Sequence, residues 1–503
     1  MSVETELKFQ ASPRGLAAMT KGGVPGVRGA DWSKQHLVST YFDTNKRKLE
    51  RSDVTLRVRQ VDNKFVQTVK SNASGNLPRG EWEAEVDRLK PDITKADGTP
   101  LDDFNAKNLS RKLKPVFRTS IRRAAQTIRT RRSEIELAVD RGKISAGGRS
   151  QPIAEFELEL KSGRPSDLFS LARKFDRKTA AELDLRSKAE KGYRLLEDDG
   201  EGAVHAAPIQ LDRELAPNRA FRMIAFATLR HFSCNADAVR ALDSEAVHQM
   251  RVGLRRTRAA ISLFNDVLPR MNTAQIKTEL EWLTRELAPA REIDVFLKER
   301  VHPVAHETVP KRGYRAIEKK FAAQRLAAFR RAGRAVASAR FRRLLLDVLE
   351  WIETSRAPAH DERLIGPYAA ALLARRIRKV RKQGKRLQEL DPTQRHKLRI
   401  RIKKIRYAVE FFKSLYAHSD HKELAGLSDR LKRIQSALGS LNDFLAHREM
   451  GTKAALNAPR ANRRAQAFVS GFVVGREREA ARGLMKAASR EIGQLRRLRS
   501  EPC

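Results

Sequence analysis

The 503-residue chain carries 102 Lys+Arg against 61 Asp+Glu, a formal net charge of +41, with only 6% aromatic residues and two cysteines, Cys234 and Cys503. Two thiols exclude a disulfide-stapled scaffold, no apolar run reaches membrane-span length, and Met1-Ser2-Val3-Glu4 does not open as a signal peptide does, so the expectation is a soluble cytoplasmic protein. The charge is uneven, +11 over residues 1–200 and +30 over the rest, and the basic half calls for a polyanion such as nucleic acid, an anionic membrane surface or a chain of phosphates.

The chain opens on Glu4-Thr5-Glu6-Leu7-Lys8, where period-two alternation places both carboxylates and the lysine on one strand face. Gly22 to Gly29, with Pro25, reads as a flexible insertion. Strand patterns follow: Leu56 and Val58 alternate with Thr55, Arg57 and Arg59; Val66, Thr68 and Lys70 share a parity; Gly75-Asn76 and Pro78 mark turns. Glu81, Glu83 and Glu85 alternate with Trp82, Ala84 and Val86, and Arg118, Ser120 and Arg122 with Phe117, Thr119 and Ile121. Glu134 and Glu136 alternate with Ile135, Leu137 and Val139, Asp140-Arg141-Gly142 reads as a turn, and Glu157-Leu158-Glu159-Leu160-Lys161 repeats the opening motif.

A half-exposed sheet would also alternate in this way. Stacked acids on one strand face repel, however, unless cations sit among them. One group of strands supplies acids, another supplies Arg57, Arg59, Lys70, Arg118 and Arg122. A closed antiparallel barrel lets both groups face one lumen and hold a metal–phosphate complex. The glutamates suit Mg²⁺ or Mn²⁺, the arginines and lysines neutralise phosphoryl oxygens, and a second metal or a free carboxylate would activate water. No Gly-x-x-x-x-Gly-Lys-Ser/Thr loop is present, so a P-loop mechanism is not indicated.

The ordered set of Glu4-x-Glu6-x-Lys8, Tyr41-Phe42-Asp43-Thr44, Leu56-Arg57-Val58-Arg59, Lys70, Phe117-Arg118-Thr119 with Arg122, and Glu157-x-Glu159-x-Lys161 resembles the CYTH, or triphosphate tunnel metalloenzyme, family over about residues 1–200. The resemblance implies an eight-stranded antiparallel β-barrel tunnel that hydrolyses triphosphates with a divalent metal. It implies metal binding by Glu4, Glu6, Glu157 and Glu159, and phosphate binding by Lys8, Arg57, Arg59, Lys70, Arg118, Arg122 and Lys161. Glu134 and Glu136 look like further lumen acids, and Lys188 like a late substrate-contacting lysine. Asp43 reads as a turn residue. The chain departs from the family pattern at Ser52-Asp53-Val54, where a glycine usually precedes the strand.

A linker is expected over 201–212, followed by helix-forming sequence over 213–495 that contains a tandem repeat, about 213–355 and 361–495. His248-x-x-Arg251-x-x-x-Arg255-Arg256-x-Arg258 matches His396-x-x-Arg399-x-x-x-Lys403-Lys404-x-Arg406 at a separation of 148 residues, a spacing shared by Arg230 and Arg378. Arg291-Glu292-Ile293-Asp294 has a counterpart near Leu441-Asn442-Asp443. At about 100° per residue, His248, Arg251, Arg255 and Arg258 form one narrow helical stripe, as do His396, Arg399, Lys403 and Arg406. Like charges so stacked repel without a compensating anion, and two such helices could line one groove for a long polyphosphate, extended by Lys382. Histidines that titrate near neutrality would strengthen binding in acid. This half resembles the CHAD family, which implies an all-α domain of two duplicated four-helix units that binds inorganic polyphosphate, with association to polyphosphate granules. The tail 496–503 reads as disordered.

The leading expectation is therefore a metal-dependent inorganic triphosphatase that cleaves tripolyphosphate to pyrophosphate and phosphate beside a polyphosphate-binding helical domain. One alternative is an adenylate cyclase or another nucleoside or thiamine triphosphate enzyme, which would need a base pocket. Another is a non-catalytic polyanion binder. Nucleic acid is disfavoured because aromatics do not interleave with the arginine stripes. No membrane is expected as a partner, and the oligomeric state is left open.

Overall fold

The structure is a computed structural model that describes residues 5–21, 32–62, 64–71, 80–197, 202–268, 273–355, 363–416 and 421–495. Glu4, the Gly22–Gly29 insertion, the Gly75-Asn76-to-Pro78 turn, the side chains of Asn442 and Asp443, and the tail 496–503 lie outside the described residues. By compactness the chain forms two units. The first takes in Met1–His205, Leu229–Asp237 and Ala337–Arg356, the second Ala206–Thr228, Ala238–Val336 and Ala357–Cys503.

The first unit is built on nine strands: β1 Thr5–Gln10, β2 Ser33–Asp43, β3 Val54–Val61, β4 Lys64–Ser71, β5 Gly80–Val86, β6 Lys114–Arg129, β7 Glu134–Ala146, β8 Arg149–Ser162 and β9 Glu182–Leu183. Its helices are α1 Pro13–Lys21, α2 Lys48–Arg51, α3 Ala106–Lys112, α4 Pro165–Thr179 and α5 Lys188–Glu197. The strands make one antiparallel sheet in the order β5-β4-β3-β2-β6-β7-β8-β1-β9. The expected eight-stranded closed barrel is therefore corrected. β5 pairs only with β4 and β9 only with β1, so the sheet ends in two edges rather than closing on itself. Strand twist curls it enough for side chains of eight strands to line one concave cavity without that closure.

Alternation along the strands decides what each face buries. On β1 and β8, Leu7, Phe9, Phe156 and Leu158 turn away from the cavity, and Phe156 packs on Phe9 (centroids 4.8 Å apart) and on Phe175 of α4 (5.4 Å). Each such buried phenylalanine contributes roughly 1.5–3 kcal/mol. On the other arm, Leu56, Val58, Val69 and Val86 back onto Leu101 and Leu109. Asp43 is a turn organiser: Oδ1 accepts from the Thr44 and Leu49 amides (2.6 and 2.9 Å), and Oδ2 from the Glu50 amide and the Tyr193 hydroxyl (both 3.0 Å). Asp53 stands at φ +54°, the left-handed conformation that favours glycine and that aspartate tolerates better than most residues. Asp140-Arg141-Gly142 is not a turn but the middle of β7. Gly142 is required there because a Cβ would lie 2.0 Å from the Ser120 carbonyl oxygen.

The later helices are α6 Pro217–Ser233, α7 Ala236–Arg240, α8 Ser244–Leu263, α9 Thr273–Phe296, α10 Lys311–Val336, α11 Ala339–Thr354, α12 Ile365–Gly384, α13 Pro392–Phe411, α14 His421–Leu456 and α15 Arg463–Gly493. The last turn of α6, the start of α7 and all of α11 belong to the first unit. There Arg173 of α4 pairs with Asp347 (2.7 Å) and Glu350 of α11, and Arg342 pairs with Asp176 (2.6 Å).

In the second unit the 148-residue repeat reappears in the helix starts: 217 and 365, 244 and 392, 273 and 421. α8 and α13 also share their caps. The Asp243 and Asp391 side chains accept the amides of Ala246 and Gln394, and Phe264 and Phe412 close the two C-termini. The packing between α8 and α13 is reciprocal. Arg256 reaches Glu410 (2.8 Å), while its counterpart Lys404 reaches Ser262 (2.9 Å), the counterpart of Glu410. Phe264 and Phe412, equivalent to each other, meet edge to face at 5.9 Å, which places them beside a pseudo-twofold axis. No helix among the described residues is long and apolar enough to cross a membrane.

Candidate active site

Register builds the acidic wall of the cavity. The glutamates of β8 each lie between one residue of β1 and one of β7: Glu155 between Gln10 and Asp140, Glu157 between Lys8 and Ala138, Glu159 between Glu6 and Glu136. Asp140, Glu155 and Glu157 bring carboxylate oxygens within 4.8 Å of one another. Such a cluster could hold a divalent metal ion, since all its donors are hard oxygens. Cations answer it: the Lys188 ammonium, at the start of α5, lies 2.9 Å from Asp140, 2.5 Å from Glu155 and 2.6 Å from Glu157. Arg123 of β6 donates to both oxygens of Asp140 (2.7 Å each) and reaches Glu157. Lys191 pairs with Glu155 (3.0 Å) and Asp184 (2.7 Å).

These contacts override burial. Burial alone would raise the Glu157 carboxyl, but Lys188 and Arg123 hold it well below its ordinary range. Lys188 is likewise held well above its usual value, against burial, by Glu157, Glu155 and Asp140. Glu6 goes the other way, pushed up by burial and by the Glu157 charge, and burial lowers Lys8.

The opposite wall comes from β3, β4 and β5. Arg57 and Lys70 converge on Glu81 (3.4 and 2.6 Å), Arg59 donates to Ser39 (3.3 Å), and Thr68 donates to Glu83 (3.1 Å). Burial and the neighbouring Arg57 bring Arg59 down to about 10. The walls enclose a cavity of about 280 Å³.

Of the residues singled out in the sequence, the cavity gathers Glu6, Lys8, Arg57, Arg59, Lys70, Glu81, Glu83, Glu136, Glu157, Glu159, Lys161 and Lys188. Lys161 sits at its edge on Glu159 (2.6 Å). Arg118 and Arg122 are not brought in. Both are exposed on the opposite face of β6, whose Thr119, Ile121 and Arg123 line the cavity. Glu134 stands at the exposed end of β7 near Arg129 (3.7 Å), and Glu4 lies outside the described residues. Arg123, Asp140, Glu155 and Lys191 were missed as site residues. The available signal was that Glu155 continues the acidic parity of β8.

Asp184 anchors this end of the unit, accepting from Gln10 (2.8 Å) and from the Arg186 backbone amide and Nε (3.0 Å each). Burial opposes its charge, but Lys8, Arg186 and Lys191 hold its carboxyl far below the usual range. A depressed carboxylate stabilises above its unfolded value of about 3.9 and loses that contribution as pH falls toward the folded value. Asp184→Asn is thus expected to cost about 2 kcal/mol near neutrality. Thermal unfolding over a pH series should show the gap between the two proteins shrinking below about pH 4.

In the second unit the first basic stripe lies along α8. Arg251 donates to the Thr284 carbonyl and Arg255 to the Tyr407 hydroxyl (both 3.4 Å), and Arg258 is exposed. On α13 His396 is exposed, Arg399 and Lys403 are half-buried, and Arg406 donates to Gln435 (3.1 Å). Arg378 and Lys382 are exposed on α12. Arg230 departs from the stripe: it belongs to the first unit and pairs with Glu190. The expected titration of His248 near neutrality is corrected, because burial and then Arg291 push its imidazolium down to about 4.

Residues 2–193 match the CYTH domain and residues 223–451 the CHAD domain. An inorganic triphosphatase of Haemophilus influenzae is 35% identical over 164 residues, which make up 32% of this chain and 46% of that relative, so the match spans about half of the relative's length. An uncharacterised protein of Mycobacterium tuberculosis is 25% identical over 521 residues, covering 97% of this chain and 96% of the relative. Among solved structures, the crystal structure of the CHAD domain from the plant Ricinus communis aligns with a TM-score of 0.50 and 28% identity, over 59% of this chain and 99% of that one.

Proposed function

The chain joins a CYTH domain to a CHAD domain, and we propose that the first unit hydrolyses inorganic tripolyphosphate to pyrophosphate and phosphate with Mg²⁺ or Mn²⁺. The observation that carries this reading is one small cavity lined by Glu6, Glu136, Glu157 and Glu159 on one wall and by Arg57, Arg59 and Lys70 on the other, with Glu157 also part of the Asp140–Glu155–Glu157 cluster behind it. The Haemophilus influenzae relative, an inorganic triphosphatase, supports the choice of substrate. Glu157, the member of the Asp140–Glu155–Glu157 cluster that lines the cavity, with Glu6 and Glu159 beside it, would hold the metal, whose positive charge would draw phosphate oxygens and lower the barrier to water attack. Arg57, Arg59 and Lys70 neutralise the phosphoryl oxygens, and Lys188 and Arg123 balance whichever carboxylates the metal leaves free. A phosphate-release panel over tripolyphosphate, ATP, thiamine triphosphate and long polyphosphate, with each metal, tests the reading. Tripolyphosphate should be the preferred substrate; preference for ATP with a cyclic product overturns it.

For the second unit we propose binding of inorganic polyphosphate along the basic stripes of α8 and α13, whose reciprocal packing places two similar sets of cations in one unit. Arg255→Glu with Lys403→Glu should weaken polyphosphate binding at least about tenfold at fixed salt and reduce the salt dependence. Unchanged affinity in a calorimetric titration removes these residues from the site.

A further inference from the structure

The segment that delivers Lys188 is held from far downstream in the chain, and we propose that Arg230 and Asp237 are positioning residues that fix Asp184–Glu190 and thereby place the Lys188 ammonium among Asp140, Glu155 and Glu157. The kinetic part of this inference rests on the triphosphatase reading; the placement itself does not.

Residues 184–187 carry no regular structure of their own, and α5 begins at Lys188. A lysine in the first turn faces the positive end of the helix dipole, so nothing intrinsic to α5 favours its charge there. The start of the helix is set by a capping box: the Glu190 amide donates to Ser187 Oγ (3.1 Å), and the Ser187 amide donates to Glu190 Oε2 (2.7 Å). The other oxygen of Glu190 receives Arg230 Nη2, and Arg230 Nε donates to the Leu185 carbonyl (3.4 Å). One guanidinium thus holds both ends of the turn that leads into Lys188. Arg186, between them, donates to Asp237 Oδ2 (2.9 Å), while its carbonyl accepts from Lys8, another cavity lysine. The 229–237 segment is itself tied down by Asn235, which exchanges two 2.9 Å hydrogen bonds with the backbone of Val204. All of these residues lie in the first unit.

Arg230 also stands 148 residues before Arg378, yet the two positions differ in use. Arg378 is exposed on α12, and Arg230 is spent on Glu190 and Leu185. The first copy of the repeat has given this position to the cavity.

The test uses the full chain with Arg230→Ala, Asp237→Asn and the conservative Arg230→Lys. Brief acetylation with acetic anhydride, read by peptide mass spectrometry, reports the accessibility of Lys188, with exposed Lys64 as internal reference. Arg230→Ala should raise labelling of Lys188 about tenfold relative to Lys64, Asp237→Asn should raise it less, and Arg230→Lys, which keeps a cation on Glu190, should retain part of the protection. For tripolyphosphate, kcat should fall about tenfold or more with a smaller change in KM, as displacement of a catalytic group by about 1 Å requires. Unchanged Lys188 labelling in the folded variants overturns the inference. If Arg230→Ala does not fold, Asp237→Asn decides by the same labelling ratio. A wild-type chain without triphosphatase activity would defeat the functional reading and leave the labelling result to judge the placement.

Discussion

Glu157→Gln is expected to lower the rate of tripolyphosphate hydrolysis by about a thousandfold while leaving the fold in place. The side chain keeps its shape and loses its charge at the point where the cavity concentrates its electrostatics. Glu157 lies opposite Lys8 on β1, receives Lys188 and Arg123, and shares oxygens with the Asp140–Glu155 cluster. The neutral amide would weaken retention of the proposed metal and leaves two buried cations under-compensated, so phosphate release should fall at every metal concentration. Glu85→Gln is the matched control. It lies on β5 with its side chain 64% exposed beside Lys64, and its activity should stay within about twofold of wild type. A Glu157→Gln enzyme within tenfold of wild type would remove Glu157 from the catalytic centre.

The largest structural effect is expected at Arg123. Its guanidinium spans both oxygens of Asp140, which is fully buried in β7. Arg123→Ala strips most of the compensation from that charge, leaving Lys188 alone, and removing one partner of a buried pair costs about 3 kcal/mol or more. For a unit of this size that is a fall of about 10 °C in the unfolding midpoint. Arg122→Ala, one residue away, should change stability by less than about 0.5 kcal/mol, because Arg122 projects to the exposed face. Thermal unfolding of the two variants side by side therefore tests the strand parity directly. Equal midpoints would contradict it.

That parity marks where the sequence stopped being informative. Alternation identifies β6 as a strand but not which face turns inward. Thr119 and Ile121 look like core, Arg118 and Arg122 look like ligands, and the cavity takes the first pair together with Arg123. On β6 the outer face is the exposed one and the cavity face carries Thr119 and Ile121 beside Arg123, so polarity does not label the inside. Asp140 was hidden by the Asp-Arg-Gly string, because glycine two residues after aspartate signals a turn, whereas here Gly142 only lets β7 approach Ser120. Glu155, Glu157 and Glu159 share a face, and choosing among them required the register against β1 and β7. Charge patterns specify a shared enclosure and not a hydrogen-bonded seam, so they do not distinguish a closed barrel from this open, curled sheet. The helical half was more legible. Helix starts, caps and basic stripes recur at one spacing, since a repeat displays its own periodicity in the chain. What spacing could not reveal was that Arg230 had left the pattern to serve another partner.

The reciprocal seam between α8 and α13 is, in form, a homodimer contact written into a single chain. Each copy offers the surface that it also receives, as the two subunits of a twofold dimer do. Tethering turns that encounter into an intramolecular one, so the contact persists at any dilution, whereas two free copies would separate. Having both halves on one polypeptide also releases each from matching itself: position 410 can hold a glutamate for Arg256 while position 262 keeps a serine for Lys404. Symmetry broken in this way is closed to a true dimer, where one substitution always appears twice.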